Sequence, residues 1–182
     1  MPESVAPVSD VPGSDAPGRD ARLDALLSRA EIYDVLTRYC RGVDRCDVEL
    51  LRSVYHDDAI DDHGMFKGPG HAFAEWIVAW ERENIRGCQH FIGNFACEIE
   101  GDTAFTETYC ISFSEDMNGR NATVYNRYVD RFERRGGVWK IADRRVVLDL
   151  TRTDDASPPF GAVPGWDFTW GRRDRSDPVY RN

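Results

Sequence analysis

The chain has 182 residues, 41% hydrophobic and 12% aromatic, which is typical of one globular domain with a sizeable core plus tails. Its net charge of −9, from 32 acidic and 23 basic residues, argues against nucleic acid and anionic membranes as partners because both would repel the chain, although the net charge leaves room for a local basic patch. The sequence contains no apolar run of about 18 residues, so it predicts no membrane-spanning helix. The five cysteines lack Cys-x-x-Cys spacing, which disfavours a zinc site and indicates reduced thiols in a cytoplasmic protein.

The two ends of the chain differ in composition from its middle. Residues 1–20 are rich in proline, serine, glycine and aspartate, and we expect a disordered leader because they cannot bury enough apolar surface to offset the entropy of ordering. Residues 21–150 carry the periodic patterns of a folded domain. Residues 151–182 combine four prolines with several aromatic residues, which predicts an irregular C-terminal tail docked on that domain.

The first predicted helix covers residues 21–46. Its apolar side chains recur at three- and four-residue steps with charged residues between them, the pattern of an amphipathic helix. Leu36, Cys40 and Asp44 follow one another at steps of four, so Asp44 continues the inward stripe. A carboxylate near the C-terminal end of a helix faces the unfavourable end of the helix dipole. This conflict favours a functional role for Asp44. The simpler alternative is that Asp44 is a surface residue at the end of a helix.

Two shorter helices are predicted next. Asp47 is a favourable N-cap for the second helix, and the sequence at 56–59 then breaks that helix. A short extended segment is predicted over 59–66, before a turn at 68–70. The third helix is predicted over 71–85, where bulky apolar side chains repeat at helical spacing.

From residue 88 the apolar pattern changes to a period of two, which indicates β-strands. Four long strands are predicted at 89–100, 103–114, 122–134 and 138–150. The pair Gly136-Gly137, between the last two strands, is a strong signal for a tight hairpin turn. Helices followed by antiparallel strands predict an α+β fold, in which three N-terminal helices pack on one side of a curved antiparallel sheet.

His90 is the strand residue with the clearest chemical potential. On the predicted 89–100 strand it shares one face with Ile92, while Phe91 and Phe95 lie on the other. An aspartate that orients an imidazole makes a general base usable near neutral pH, and Asp44 could supply it if the fold joins the two. The alternative is a buried histidine whose hydrogen bonds are purely structural.

The segment 56–63, HDDAIDDH, raises the question of a metal site. Two histidines and a carboxylate can hold iron. However, a single extended segment cannot easily bring together two histidine side chains that are seven residues apart. The sequence therefore predicts no metal ion at this segment.

The order of elements resembles a known superfamily. Three helices, a short strand and a four-stranded meander ending in Gly-Gly-Val-Trp-Lys-Ile at 136–141 resemble the NTF2-like, cone-shaped α+β barrel over residues 22–150. Within that superfamily the chain looks like the SnoaL-like branch. The enzyme types there that share more specific pieces are scytalone dehydratase and the bile-acid 7α-dehydratases, and hexachlorocyclohexane dehydrochlorinase is a further relative.

Particular motif residues carry this resemblance. The segment QHFIG at 89–93 closely resembles the scytalone dehydratase strand that bears a catalytic histidine. Asp44 falls where these enzymes place the aspartate that pairs with that histidine, and Tyr39 matches an active-site tyrosine of the bile-acid dehydratases. The resemblance therefore implies catalytic roles for His90, Asp44 and Tyr39.

The resemblance also implies a set of substrate contacts. His63 falls where both dehydratases carry a second active-site tyrosine. Arg144 or Arg145 falls near the active-site arginine of the bile-acid and dehydrochlorinase members, and the family pattern favours Arg144. One arginine of this pair is expected to point inward, where its guanidinium would bind a carbonyl or a carboxylate.

The departures from scytalone dehydratase concern the substrate contacts. Ser114 stands about where that enzyme has a second catalytic histidine, and Asn126 and Tyr128 replace its serine and asparagine on the third long strand. These residues are expected to bond to substrate, with Trp76 as an aromatic wall, although a satisfied polar layer inside the barrel is the alternative for Asn126 and Tyr128. The resemblance thus implies the family's catalytic pair acting on another substrate.

Together these features predict a cofactor-independent dehydratase or isomerase. Asp44 and His90 would abstract a proton from a hydrophobic polycyclic or aromatic substrate such as a steroid or polyketide. The resemblance implies a homo-oligomer, either a trimer or a dimer. The alternative is a non-catalytic ligand-binding or assembly module, such as the small subunit of a ring-hydroxylating dioxygenase. A hydrogen bond between Asp44 and His90 beside a pocket would favour the enzyme.

Overall fold

The computed structural model describes residues 18–155, 171–178 and 180. Most of the predicted leader at 1–20 and residues 156–170 of the predicted tail lie outside the described residues. Within the described part of the chain, no helix is both long enough and apolar enough to cross a membrane.

The described residues form helices on one six-stranded sheet. The helices are α1 (Arg19–Asp44), α2 (Val48–Ser53) and α3 (Gly70–Asn84). The strands are β1 (Tyr55–Asp62), β2 (Lys67–Pro69), β3 (Ile85–Glu100), β4 (Thr103–Asp116), β5 (Arg120–Arg135) and β6 (Val138–Asp155). They are ordered β2-β1-β6-β5-β4-β3, and the helices pack against this sheet through a shared hydrophobic core. The α+β class is confirmed, although β1 and β2 separate α2 from α3.

The sheet is mixed, so the prediction of a wholly antiparallel sheet was wrong. Strand β1 runs parallel to β6, with Tyr55 opposite Ile141 and Asp61 opposite Arg144. This strand includes residues 56–59, which the sequence had suggested as a break after the second helix. Aspartates give the segment a low intrinsic preference for β structure, and pairing with β6 outweighs that preference.

The corner between α1 and α2 determines where α1 ends. The predicted N-cap at Asp47 is confirmed, because its side chain accepts a hydrogen bond from the Leu50 N–H at 3.2 Å. Gly42 lies so close to Leu51 that a Cβ at position 42 would come within 2.7 Å of the Leu51 Cγ. Position 42 therefore has room only for a glycine where the two helices meet. Helix α1 ends two residues later, at Asp44.

The inward face of β3 changes at a β-bulge. Pairing with β4 places His90 opposite Ser112, and the register shifts between Ile92 and Phe95. Phe95 therefore packs with Ile92 against the core, whereas Phe91 is 57% exposed on the outer face. The prediction that Phe95 shares the face of Phe91 was wrong, because strict alternation does not anticipate the extra residue of a bulge.

The long strands of the second half follow the predicted meander. Gly136 and Gly137 have φ angles of 59° and 81°, the left-handed conformation that a tight hairpin turn requires of both central residues. The predicted hairpin is thus confirmed. The strands extend past their predicted ends, since β3 begins at Ile85 and β6 continues to Asp155.

The buried His56 gives the fold a pH dependence. Its Nε2 donates to the Glu133 carbonyl at 2.9 Å, and burial lowers the pKa of His56 from the ordinary 6.5, with Arg135 and Lys140 adding to the effect. A histidine with a depressed folded-state pKa stabilises the fold above its unfolded pKa, and this stability is lost as the pH falls. We expect the free energy of unfolding, from urea titrations at about pH 7.5 and about pH 5.5, to fall less in His56→Asn than in the unsubstituted chain. Equal losses would contradict this assignment.

Candidate active site

Asp44 and His90 bond to each other where α1 meets β3. Asp44 Oδ1 lies 2.7 Å from His90 Nδ1, and Oδ2 accepts a hydrogen bond from the His90 backbone N–H at 3.1 Å. Each of these side chains is 11% exposed. Because a carboxylate only accepts, the neutral ring of this Asp44–His90 dyad carries its proton on Nδ1. Asp44 reaches this position because it continues the buried stripe of α1, as the spacing predicted.

A cavity of about 250 Å³ opens beside the dyad. His90, Asp44 and Ile92 contribute to its lining, and Arg41 and Arg45 bring positive charge to it. Among the described residues, the hydrogen bonds of the His90 ring all involve Nδ1, so Nε2 is the ring nitrogen that can accept a proton.

Two ionisable residues that the sequence analysis missed lie beside the dyad. Cys88 Sγ is 3.7 Å from His90 Nδ1; burial raises the pKa of this thiol, and the carboxylates of Glu81 and Asp44 raise it further. Cys88 is therefore a neutral thiol rather than a nucleophilic thiolate. Burial also raises the pKa of Glu81, against the opposing effect of Arg173, which pairs with it. The spacing of Cys88 two residues before His90 on one strand could have been read from the sequence as a sign that the two side chains lie on the same face. No sequence signal indicates that Glu81 lies near them.

Tyr39 and His63 meet in a second, deeper group of polar side chains. His63 Nδ1 bonds to Asp61, which also accepts a hydrogen bond from the Tyr55 hydroxyl at 2.7 Å. Because Nδ1 holds the proton in that bond, Nε2 of the neutral His63 ring accepts from the Tyr39 hydroxyl, 3.0 Å away. Burial raises the pKa of Tyr39 well above its ordinary value. The Tyr39 proton is thus directed to His63 and not to the cavity beside the dyad.

Arg144 is buried and Arg145 is exposed, in agreement with the choice made from the sequence. The Arg144 guanidinium donates to both carboxylate oxygens of Asp130, at 2.8 and 2.7 Å, and lies 4.1 Å and 4.2 Å from the ring centres of Tyr39 and Tyr128. Burial acts to lower the pKa of Arg144, but the Asp130 carboxylate, together with Tyr55 and Tyr39, keeps that pKa well above its ordinary value. Asp130 therefore occupies donors that the sequence analysis assigned to a substrate oxygen.

Asn126 and Tyr128 are both buried residues of β5. The Tyr128 hydroxyl accepts a hydrogen bond from the Cys110 thiol at 3.3 Å, inside the core. Asn126 Oδ1 has no hydrogen-bond partner among the described residues, and neither has Arg144 Nη1 nor the hydroxyl of Thr108. Because unpaired buried polar atoms are costly, these atoms mark places where water or a substrate oxygen would be stabilised.

Ser114 is not the residue opposite His90, and Trp76 does not contribute to the cavity beside the dyad. In the pairing of β3 with β4, Ser112 is opposite His90, whereas Ser114 is opposite Cys88. The position across from His90 is thus held by Ser112. Trp76 does not line the cavity beside the dyad; it packs within an aromatic cluster formed with Phe66, Phe73 and Trp80.

One group of three potential metal ligands occurs among the described residues. Donor atoms of Asp44, Cys88 and His90 lie within 4.8 Å of one another. A cation bound there would have to displace the Nδ1 proton and the thiol proton. The hydrogen bonds of His56 and His63 lead to different parts of the fold, so these two histidines do not form a site together.

Comparison with known proteins identifies relatives of this chain. The family model of the SnoaL-like domain matches residues 24–145. Gamma-hexachlorocyclohexane dehydrochlorinase of Sphingobium indicum is 29% identical over 133 residues, which cover 70% of this chain and 84% of that protein.

Solved structures show the same fold. Hexachlorocyclohexane dehydrochlorinase LinA-type3 from Novosphingobium barchaimii superposes with a TM-score of 0.68 and 25% identity, covering 76% of this chain and 99% of that one. A putative scytalone dehydratase from Novosphingobium aromaticivorans gives a TM-score of 0.67 at 18% identity, covering 78% and 99% of the two chains, and this likeness concerns the fold alone. The family match spans more than half of the sequence, so the chain belongs to the SnoaL-like domain family.

Proposed function

We propose that the chain is a cofactor-independent lyase or isomerase in which the dyad removes a proton from carbon. The observation that carries the proposal is the 2.7 Å contact between Asp44 Oδ1 and His90 Nδ1, beside a cavity that both residues line. An imidazole held in this tautomer accepts a proton at Nε2, and Asp44 stabilises the imidazolium that forms.

The proposed reaction begins when Nε2 of neutral His90 takes a proton from a substrate carbon. The electron pair of the broken C–H bond then forms a carbon–carbon double bond, and a group on the adjacent carbon leaves with its bonding pair. In an isomerisation, the imidazolium would instead return the proton to another carbon. Arg41 and Arg45 line the cavity, and although Arg45 also pairs with Asp177, their positive charges would offset the negative charge that develops in either case.

The size of the cavity and the relatives support a small substrate that undergoes elimination. A relative 29% identical to this chain is named as a dehydrochlorinase, and we carry over the type of reaction rather than its substrate. The cavity of about 250 Å³ lies below the usual range for ligand pockets, roughly 300–1,000 Å³. A single six-membered ring therefore fits the proposal better than the steroid or polyketide expected from the sequence.

Exchange of carbon-bound hydrogen in D₂O tests this proposal without knowledge of the leaving group. The protein would be incubated with cyclohexanones bearing a β-hydroxyl or β-halogen, with hexachlorocyclohexane and with a 3-ketosteroid, and followed by NMR and chloride release. We expect the rate of exchange or elimination on a single-ring substrate to exceed that of the heat-inactivated control. The activity should also persist after the protein is dialysed against EDTA. Ligand binding without proton chemistry on any substrate would contradict the proposal and favour the non-catalytic module. The homo-oligomer, trimer or dimer, stays a prediction.

A further inference from the structure

A guanidinium from the C-terminal segment lies against the main chain that carries the dyad. Arg173 Nε donates to the Asp44 carbonyl at 3.2 Å, and Nη1 donates to the Ile85 carbonyl at 2.9 Å. Nη2 donates to the Val43 carbonyl at 3.4 Å and pairs with the Glu81 carboxylate. The Arg173 side chain is only 15% exposed. Each of its three nitrogens is therefore engaged next to the dyad.

These contacts join the three elements that position the dyad. Asp44 is the last residue of α1, Glu81 lies in the last turn of α3, and Ile85 begins the strand on which His90 follows five residues later. A single side chain thus bridges the ends of two helices and the start of β3. A shift of any of these ends would change the distance between the carboxylate and the imidazole.

Arg173 also offsets the electrostatic conflict at the end of α1. The Asp44 carboxylate lies at the helix C-terminus, where the dipole disfavours negative charge, and Glu81 adds a second buried carboxylate nearby. The Arg173 guanidinium bonds carbonyls of the last turn and brings a positive charge to this end of the helix. Arg173 therefore offsets the unfavourable placement of the Asp44 carboxylate at the end of α1.

The segment that carries Arg173 is itself anchored to the same corner of the fold. Tyr180 donates to Asp47 at 2.8 Å, and Arg175 pairs with that carboxylate at 3.2 Å. The Arg172 backbone N–H donates to Asp177 at 2.6 Å within the segment. These residues lie beyond the match to the family model, which ends at residue 145.

We propose that Arg173 is a positioning residue, which fixes the end of α1 against the start of β3 so that Asp44 holds His90 in the Nδ1–H form. The effect of Arg173 on catalysis rests on the proposed function, but the tautomer of His90 is a property of the protein without substrate. If Arg173 has this role, the C-terminal segment supports the active site.

Nuclear magnetic resonance of ¹⁵N-histidine tests this inference without substrate. At about pH 8.5, where an ordinary imidazole is neutral, the ¹⁵N shifts report which ring nitrogen carries the proton. His90→Gln identifies the His90 signal among the four histidines. Arg173→Gln removes the charge and most of the contacts, and Arg173→Lys keeps the charge alone. Arg172→Gln is the matched control, because the Arg172 side chain makes no hydrogen bond within the described residues.

We expect the Nδ1–H signal in the unsubstituted chain and in Arg172→Gln, and a shift towards the Nε2–H form in Arg173→Gln, with Arg173→Lys between them. Where a substrate is known, kcat of Arg173→Gln should fall about 10–100-fold with KM nearly unchanged, as loss of alignment requires. A folded Arg173→Gln protein that keeps the full Nδ1–H signal would overturn the inference.

The Arg173→Lys variant decides the matter if Arg173→Gln does not fold. A single ammonium group cannot bridge the Asp44 and Ile85 carbonyls and the Glu81 carboxylate together, so its tautomer signal must shift and an unchanged signal refutes the inference. A shifted tautomer in a protein without proton-abstracting activity would instead count against the proposed function alone.

Discussion

Replacing His90 with glutamine is expected to lower turnover by about 10²–10⁴-fold, the usual contribution of a general acid–base group, with the fold retained. Glutamine is of similar size, and its amide can donate to Asp44 in place of Nδ1–H. It has no atom that takes up a proton near neutral pH, so only the chemical step should suffer. The measurement is deuterium exchange or elimination on the best single-ring substrate, together with the thermal unfolding midpoint.

The matched control is the same substitution at His71. That imidazole lies near the start of α3, 3.9 Å from the exposed carboxylate of Asp57, and takes no part in the dyad. His71→Gln should therefore retain full activity. Asp44→Asn should lose activity to a similar order as His90→Gln, because an amide can donate to Nδ1 and select the other tautomer. Full turnover in His90→Gln would eliminate the dyad as the source of activity.

The dyad could be predicted because each half has a local signal. Asp44 continues a four-residue stripe whose other members, Leu36 and Cys40, are buried. His90 stands in a segment that resembles a known catalytic strand, and the order of elements resembles a known fold. Long, strongly periodic segments specify their own structure, so the spacing alone located α1, α3 and the four-stranded meander to within a few residues.

The parts that could not be predicted depend on contacts between distant segments. The parallel pairing of β1 with β6 joins residues about 80 positions apart through a stretch of low β preference. The bulge after Ile92 reverses the faces of all later residues of β3, and a regular alternation cannot reveal it. Arg173 lies 129 positions from Asp44, in a segment whose composition carries no period.

The structure also narrows the set of side chains that can act directly on substrate. Tyr39 was expected to support catalysis, but its hydroxyl bonds to His63, whose ring is held in turn by Asp61. Arg144 was expected to bind a substrate oxygen; two of its nitrogens bond to Asp130, and only Nη1 has no hydrogen-bond partner among the described residues. Sequence reasoning assigned roles to these residues one at a time, whereas buried polar groups must first satisfy each other. The chemistry proposed here therefore rests on the dyad.

The pairing of Arg144 with Asp130 leads to the largest expected effect on stability. Both side chains are 0% exposed, and the two residues lie directly opposite each other in the pairing of β5 with β6. Asp130→Asn keeps the shape of the side chain but leaves the Arg144 guanidinium as an uncompensated buried charge. We expect the free energy of unfolding, from urea titration near neutral pH, to fall by about 3–5 kcal/mol. A loss below about 1 kcal/mol, as for an exposed ion pair, would contradict the burial of this pair.

A double variant separates the cost of the charge from the cost of lost packing. Asp130→Leu combined with Arg144→Met removes both charges and keeps similar volume, so it should lose much less stability than Asp130→Asn, or gain some. The Arg144 guanidinium also lies over the rings of Tyr39 and Tyr128, and methionine can restore contact with both. A double variant as unstable as Asp130→Asn would mean that the loss comes from packing around these rings, and the uncompensated charge would not be its cause.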